Sequence, residues 1–293
     1  MSTPMTRRAF LVAGGSALAV AACSSSGKST ESTPSSSSIP PWNLVELSST
    51  DSLAAGAPVR FPFGLADAEG ATPSTIPVTS LTFTITDASG AAVGSPVTVA
   101  ARSENLPRPY FPVIFTPPKV GVYTFTSNVA GTPVSHSLQI GDGGKVPQVG
   151  EAMIPFDTPT TTDLRGVQLL CTNTPQCPLH DATLTTALAE HRPVAFLIAT
   201  PKYCQVAVCG PVLDNTLALV AEFPQVHFLH SEVYPSDAAA QPATAQVVPV
   251  VTAYGLSYEP VMFIAGADGK VSTRLDSIFD TSELREALRA VTG

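Results

Sequence analysis

Leu81, Phe83 and Ile85 alternate with Thr82, Thr84 and Thr86. A period of two predicts a strand with one face buried and one wet. Asp87-Ala88-Ser89-Gly90 predicts a turn, and Val97-Thr98-Val99 begins a return strand. Gly121-Val122-Tyr123-Thr124-Phe125-Thr126 alternates again, and residues 135–140 form a last strand. Between residues 44 and 140 short strands are broken by Pro and Gly with no helical period, which predicts a β-sandwich of about 100 residues. Trp42, just ahead of it, is expected to pack beneath it.

After Gly141-Asp142-Gly143-Gly144 and Pro147 the pattern changes to alternating helix and strand. Asp181 is placed to cap a short helix with Leu184, Ala187 and Leu188 on its apolar side. Residues 194–199 are continuously apolar, as in a central strand buried on both faces. A loop with Cys204 and Cys209 follows, then a helix over 213–223 and a second central strand over 226–233. Residues 238–254 predict a mostly helical stretch interrupted by Pro242 and Pro249. A strand over 261–265 turns through Gly266-Ala267-Asp268-Gly269 into its partner. The last helix opens with Asp280 and Glu283 as a capping-box-like pair and carries Leu284, Ala287, Leu288 and Val291 at helical spacing. Glu283 and Glu286 are expected on its exposed face.

The first residues bear on compartment. Arg7-Arg8 precede Phe10-Leu11 and an apolar run over 9–22. Fourteen residues rise about 21 Å as a helix, short of a hydrocarbon core of about 30 Å. The run therefore reads as a signal peptide, resembling a twin-arginine export signal. Val20-Ala21-Ala22-Cys23 resembles a bacterial lipobox, which implies a palmitate-type lipid on Cys23 and anchoring to the cell membrane. Residues 24–38 hold nine serines in fifteen positions and predict a flexible tether. The expected organisation is a signal peptide (1–22), a lipidated cysteine and tether (23–42), the β-sandwich (43–146) and an α/β domain (147–293). The 293 residues carry a net charge of −8, so no basic face points to nucleic acid.

The sandwich looks like the immunoglobulin-like accessory domains of exported bacterial proteins. Residues 193–291 resemble a thioredoxin-like domain, in the subgroup of membrane-anchored extracytoplasmic thiol–disulfide proteins. Three features carry this: a strand leading into a cysteine loop and helix, Glu259-Pro260 ahead of an apolar strand, and the Asp268-Gly269 hairpin. The resemblance implies thiol exchange at Cys204 and Cys209, with Pro260 shaping the substrate groove. The chain departs from the family in having four residues between its cysteines and Tyr203 in place of a tryptophan. Positions i and i+5 lie about 140° apart around a helix. A disulfide needs Cα atoms about 4.4–6.8 Å apart, so the segment between must be loop, with regular helix beginning near Gly210-Pro211.

Cys171 and Cys177 lie upstream in a loop with two prolines. Four cysteines allow three pairings, and nearness favours 171–177 and 204–209 as disulfides. The upstream pair reads first as a structural disulfide, with a second redox pair or a metal site as sharper readings. Copper-delivering relatives of the fold use two cysteines three residues apart and a downstream histidine. No histidine follows His230 here, and nothing in the sequence shows His180 meeting Cys204 and Cys209. His227 and His230, three apart in a strand, fall on opposite faces. No metal set and no cofactor is therefore predicted.

These readings predict a membrane-anchored extracytoplasmic thiol–disulfide oxidoreductase. Its partners would be exported proteins with thiols or disulfides, and a redox donor. The alternatives are a non-catalytic binding or scaffold lipoprotein with two structural disulfides, or a soft-metal (copper) handling protein.

Overall fold

The computed structural model describes residues 42–49, 52–241 and 245–293. Residues 1–41, with the expected export signal, Cys23 and most of the expected tether, lie outside the described residues.

Seven antiparallel strands build the first part: β1 (Asn43–Glu46), β2 (Val59–Ala66), β3 (Ser80–Asp87), β4 (Val97–Ala100), β5 (Phe111–Phe115), β6 (Gly121–Val129) and β7 (Thr132–Ile140). They form two sheets of order β1-β2-β5 and β4-β3-β6-β7, the connectivity of an immunoglobulin-like sandwich. The alternation read in β3 is the physical cause: Leu81, Phe83 and Ile85 are buried while the threonines between them face outward. Phe61, Phe63, Phe83 and Phe125 meet between the sheets, with Phe63 4.9 Å from Phe125 and 5.5 Å from Phe83, centroid to centroid. The β6–β7 hairpin turns through Ala130 and Gly131, both at positive φ (49° and 92°), as a tight two-residue turn requires. Trp42 packs against this core.

The second part contains α1 (Leu184–Ala189), β8 (Val194–Ile198), α2 (Cys209–Leu219), β9 (His227–Ser231), α3 (Pro249–Ala253), β10 (Val261–Ala265), β11 (Val271–Asp276) and α4 (Thr281–Thr292). Its sheet has the order β11-β10-β8-β9, with only β8 and β9 parallel. Every residue of β8 and β10 is buried. Successive side chains point to opposite faces, so Ala195, Leu197, Met262 and Ile264 enter one core and Val194, Phe196, Val261 and Phe263 the other. α2 and α4 cover the first face, and α3 with Tyr254 covers the second.

The structure changes several expectations. Among the described residues of 238–254, helix is confined to the five residues of α3, because Pro249 serves as its first turn and cannot continue a helix from upstream. Glu283 is not on an exposed face but buried, at 8% exposure. Its carboxylate accepts from Arg60 Nε at 2.6 Å, Arg60 Nη2 at 2.7 Å and the Tyr110 hydroxyl at 2.5 Å. Only half of the capping box forms: Asp280 Oδ1 accepts from Glu283 N–H at 2.8 Å, while Asp280 N–H donates to Tyr110 at 2.9 Å. Arg60 lies in β2 of the sandwich and also donates to the carbonyls of Asp276 (3.0 Å) and Ile278 (2.5 Å). The two parts are thus joined by a buried polar seam, within one compact unit.

The thioredoxin-like resemblance of residues 193–291 is corrected as well. The described chain is predominantly β-sheet, eleven strands in three sheets with four short helices of 6, 11, 5 and 12 residues. A cysteine loop before a helix, a proline before a strand and an Asp-Gly hairpin each fix local geometry, and none of them fixes a family.

Candidate functional site

Two thiol clusters stand in the second part, and all four cysteines are free. Neither disulfide that sequence nearness favoured is formed; Cys204 and Cys209 stand in one cluster and Cys171 and Cys177 in the other as thiols.

Cys204 lies in the loop after β8, and Cys209 is the first residue of α2. Ala207, at φ 55°, bends the four intervening residues. Regular helix starts only at Cys209, which resolves the i, i+5 problem by keeping the spacer out of the helix. The loop folds back so that Cys209 N–H donates to Cys204 Sγ at 3.3 Å. Cys204 is half-buried, whereas Cys209 is fully buried. Cys209 Sγ donates to Glu259 Oε2 at 2.5 Å. Sγ of both cysteines and a Glu259 oxygen lie within 4.8 Å of one another.

This geometry splits the two thiols. A hydrogen bond from Cys209 first, then backbone N–H groups, lower the Cys204 thiol from its ordinary value of 9 to about 5 against the effect of burial. Burial first, then the bond to Cys204 and the Glu259 charge, push the Cys209 thiol well up. Burial also raises the Glu259 carboxyl to about 7. Below that value Glu259 carries a proton; above it the carboxylate is able to accept one. Glu259 also lines a groove of about 350 Å³ with Gln205, Val206, Val247, Val251 and Tyr258. Val206 and Val247 are exposed apolar residues at its rim.

Pro260 follows Glu259 through a cis peptide bond at the start of β10, and its carbonyl accepts from Ser277 N–H at 2.8 Å. Glu259, not Pro260, is the member of that dipeptide that lines the groove. Nothing in the spacing of Glu259 marked it; only the pairing of β10 against β8 sets it at the cysteine loop.

The second cluster joins Cys171 and Cys177 to His180 and His230, with one ligand-type atom from each within 4.8 Å of all the others. His230 Nδ1 lies 3.7 Å from Cys171 Sγ and 3.4 Å from Cys177 Sγ, and His180 Nε2 lies 3.2 Å from Cys177 Sγ. Cys177, His180 and His230 are buried. The Cys177 hydrogen bond first, with His180 and His230 adding to it, holds the Cys171 thiol well below its ordinary range. Giving that bond, together with burial, holds Cys177 well above it. His180 therefore belongs to this cluster and not with Cys204 and Cys209. His227 turns away, toward Glu190 (3.3 Å) and Asp181 (3.6 Å), as strand alternation required.

No family model and no curated protein matches this chain. Among solved structures, the Lin-41 filamin domain is similar at 20% identity, covering 35% of this chain and 94% of its own, with a TM-score of 0.24. A hypothetical protein from Pyrococcus horikoshii OT3 is similar at 17% identity, covering 34% of this chain and 88% of its own, with a TM-score of 0.23. The ZirS C-terminal domain is similar at 15% identity, covering 43% of this chain and 86% of its own, with a TM-score of 0.19.

Proposed function

We propose that this chain is a thiol–disulfide oxidoreductase, exported and held at the membrane by a lipid on Cys23, with Cys204 as nucleophile and Cys209 as resolving thiol. The observation that carries the reading is the division of labour between two adjacent free thiols. One is half-exposed and acidified; the other is buried and hydrogen-bonded to a carboxylate. A purely structural pair has no need of a proton acceptor.

The reaction begins with the Cys204 thiolate attacking one sulfur of a substrate disulfide. The substrate S–S bond breaks as the mixed S–S bond forms, and the leaving thiolate takes a proton from solvent. Cys209 then passes its proton to Glu259 and attacks Cys204 Sγ. The mixed bond breaks, the second substrate thiolate leaves with the proton from Glu259, and Cys204 and Cys209 end as a disulfide. Two electrons pass from the protein to the substrate, and the reverse sequence oxidises a substrate dithiol. The apolar rim of Val206 and Val247 suits an extended segment of an exported protein. A donor or acceptor of thiol type must reset the pair.

Thiol trapping of the purified chain in defined redox buffers tests this. The 204–209 pair is expected to titrate above about −250 mV, and resistance to reduction below about −300 mV would refute exchange. Site-resolved alkylation of the reduced protein gives the matching pH profile. Because Cys204 is held down to about 5, its alkylation rate should be half-maximal near pH 5 and flat above about pH 7. A rate that climbs only toward pH 9 contradicts the assignment.

A further inference from the structure

We propose that Cys171, Cys177, His180 and His230 form a closed tetrahedral Zn(II) site, separate from the exchange pair. The four donors come from a loop (171–180) and from β9, and backbone and side-chain bonds hold both in place. His230 N–H donates to the Leu179 carbonyl at 2.9 Å. The buried Glu232 carboxylate accepts from Thr172 N–H at 2.9 Å and from its hydroxyl at 2.6 Å, fixing the backbone beside Cys171.

His230 is oriented as a ligand. His230 Nε2 lies 3.0 Å from the Ala199 carbonyl, which accepts its N–H. That bond leaves the Nδ1 lone pair facing both sulfurs, the arrangement in which a second partner sets the tautomer of a ligating histidine. His180 is fully buried, and its Nδ1 has no hydrogen-bond partner among the described residues. Its other nitrogen, Nε2, is the one aimed at Cys177.

A disulfide does not account for this arrangement. A 171–177 disulfide has no S–H to offer, so it would leave two imidazole nitrogens facing sulfur in a buried site without a bond. A metal ion satisfies all four groups at once. Zn–S near 2.3 Å and Zn–N near 2.0–2.1 Å set sulfur and nitrogen about 3.6 Å apart on the edges of a tetrahedron. The observed contacts of 3.2, 3.4 and 3.7 Å surround that value. Two sulfurs and two nitrogens select zinc among the common divalent ions, and four protein ligands with no open position mark a structural site. Binding takes both cysteines as thiolates, with any thiol proton they still carry released to solvent, and leaves both imidazoles neutral. The metal would also keep Cys171 and Cys177 out of the exchange reaction.

The test uses the full chain carrying Cys204→Ser and Cys209→Ser, reduced and kept anaerobic, titrated with Co(II) and then Zn(II). One Co(II) per chain is expected, with the intense visible bands of tetrahedral cobalt and thiolate-to-cobalt charge transfer, all abolished by one equivalent of Zn(II). Adding Cys171→Ser or His180→Ala should weaken cobalt binding at least about 100-fold, beyond the 10–100-fold typical of an outer-shell change. Cys171 is only half-buried, so Cys171→Ser carries the test if His180→Ala does not fold. A pale six-coordinate spectrum, or tetrahedral bands that survive Cys171→Ser, overturns the proposal. So does a 171–177 disulfide found by alkylation and mass measurement in wild-type protein prepared with zinc present.

Discussion

Cys209→Ser is expected to accumulate a stable mixed disulfide between Cys204 and a peptide disulfide substrate, and Cys204→Ser is expected to form none. The reason is positional. Cys204 is the thiol that substrate can reach, and the fully buried Cys209 can act only on a bond already made at Cys204. Multiple turnover should vanish in both variants. Glu259→Gln separates the steps further. It leaves attack by Cys204 in place and removes the acceptor 2.5 Å from Cys209 Sγ. Resolution of the mixed disulfide should slow by about 10²–10⁴-fold, the usual contribution of a positioned general base. In the wild type the resolution rate should rise with pH through about 7, as Glu259 gives up its proton and becomes able to accept another. That rise should be absent from Glu259→Gln. Resolution at the wild-type rate in Glu259→Gln would remove Glu259 from the mechanism, while mixed disulfides on Cys204→Ser would remove Cys204.

Glu283→Ala is expected to destabilise the whole molecule by about 3–5 kcal/mol, the cost of leaving one charge of a buried pair alone. Arg60 is 8% exposed, and Glu283 supplies two of its four hydrogen bonds, at 2.6 and 2.7 Å. The Tyr110 hydroxyl loses its acceptor in the same change. Arg60 and Tyr110 belong to the sandwich part and Glu283 to α4, so the loss falls on the seam between the two parts. Denaturant melts read by Trp42 fluorescence, which reports the sandwich, and by far-UV circular dichroism should shift together. The double change Arg60→Met with Glu283→Leu should recover most of the loss, because apolar residues of similar volume often replace a buried pair without cost. A loss under about 1 kcal/mol for Glu283→Ala would show that the pair is screened as surface pairs are.

Legibility in the sequence followed the reach of the interactions. Strand β3 was readable because its burial pattern is a period of two within eight residues, and that period is a property of the strand itself. The fully apolar β8 and β10 were readable for the complementary reason: both of their faces are covered. The Cys204–Cys209 spacer was readable as loop because helix geometry forbids the alternative. Glu283 was misread. Its spacing from Asp280 suits a capping box, but Arg60, 223 residues away, is a stronger partner than a backbone N–H. The family resemblance failed because it rested on short motifs that specify turns and strand ends rather than a topology.

Four of the seven sandwich strands (β3, β4, β6 and β7), the loop that carries Cys204 and the opposite facing of His227 and His230 were legible in the chain itself. All of these follow from local periodicity and short chain separation. Tertiary structure alone decided that Glu259 meets Cys209 and that Arg60 meets Glu283. It also decided that His230 on β9 meets the 171–180 loop. Each of these contacts crosses a sheet pairing or a seam, and the partners lie 50, 223 and 53 residues apart in the chain. No period or spacing within a segment records which distant strand it will lie against; burial of the shared apolar faces makes that choice, and the chemistry of both thiol clusters depends on it.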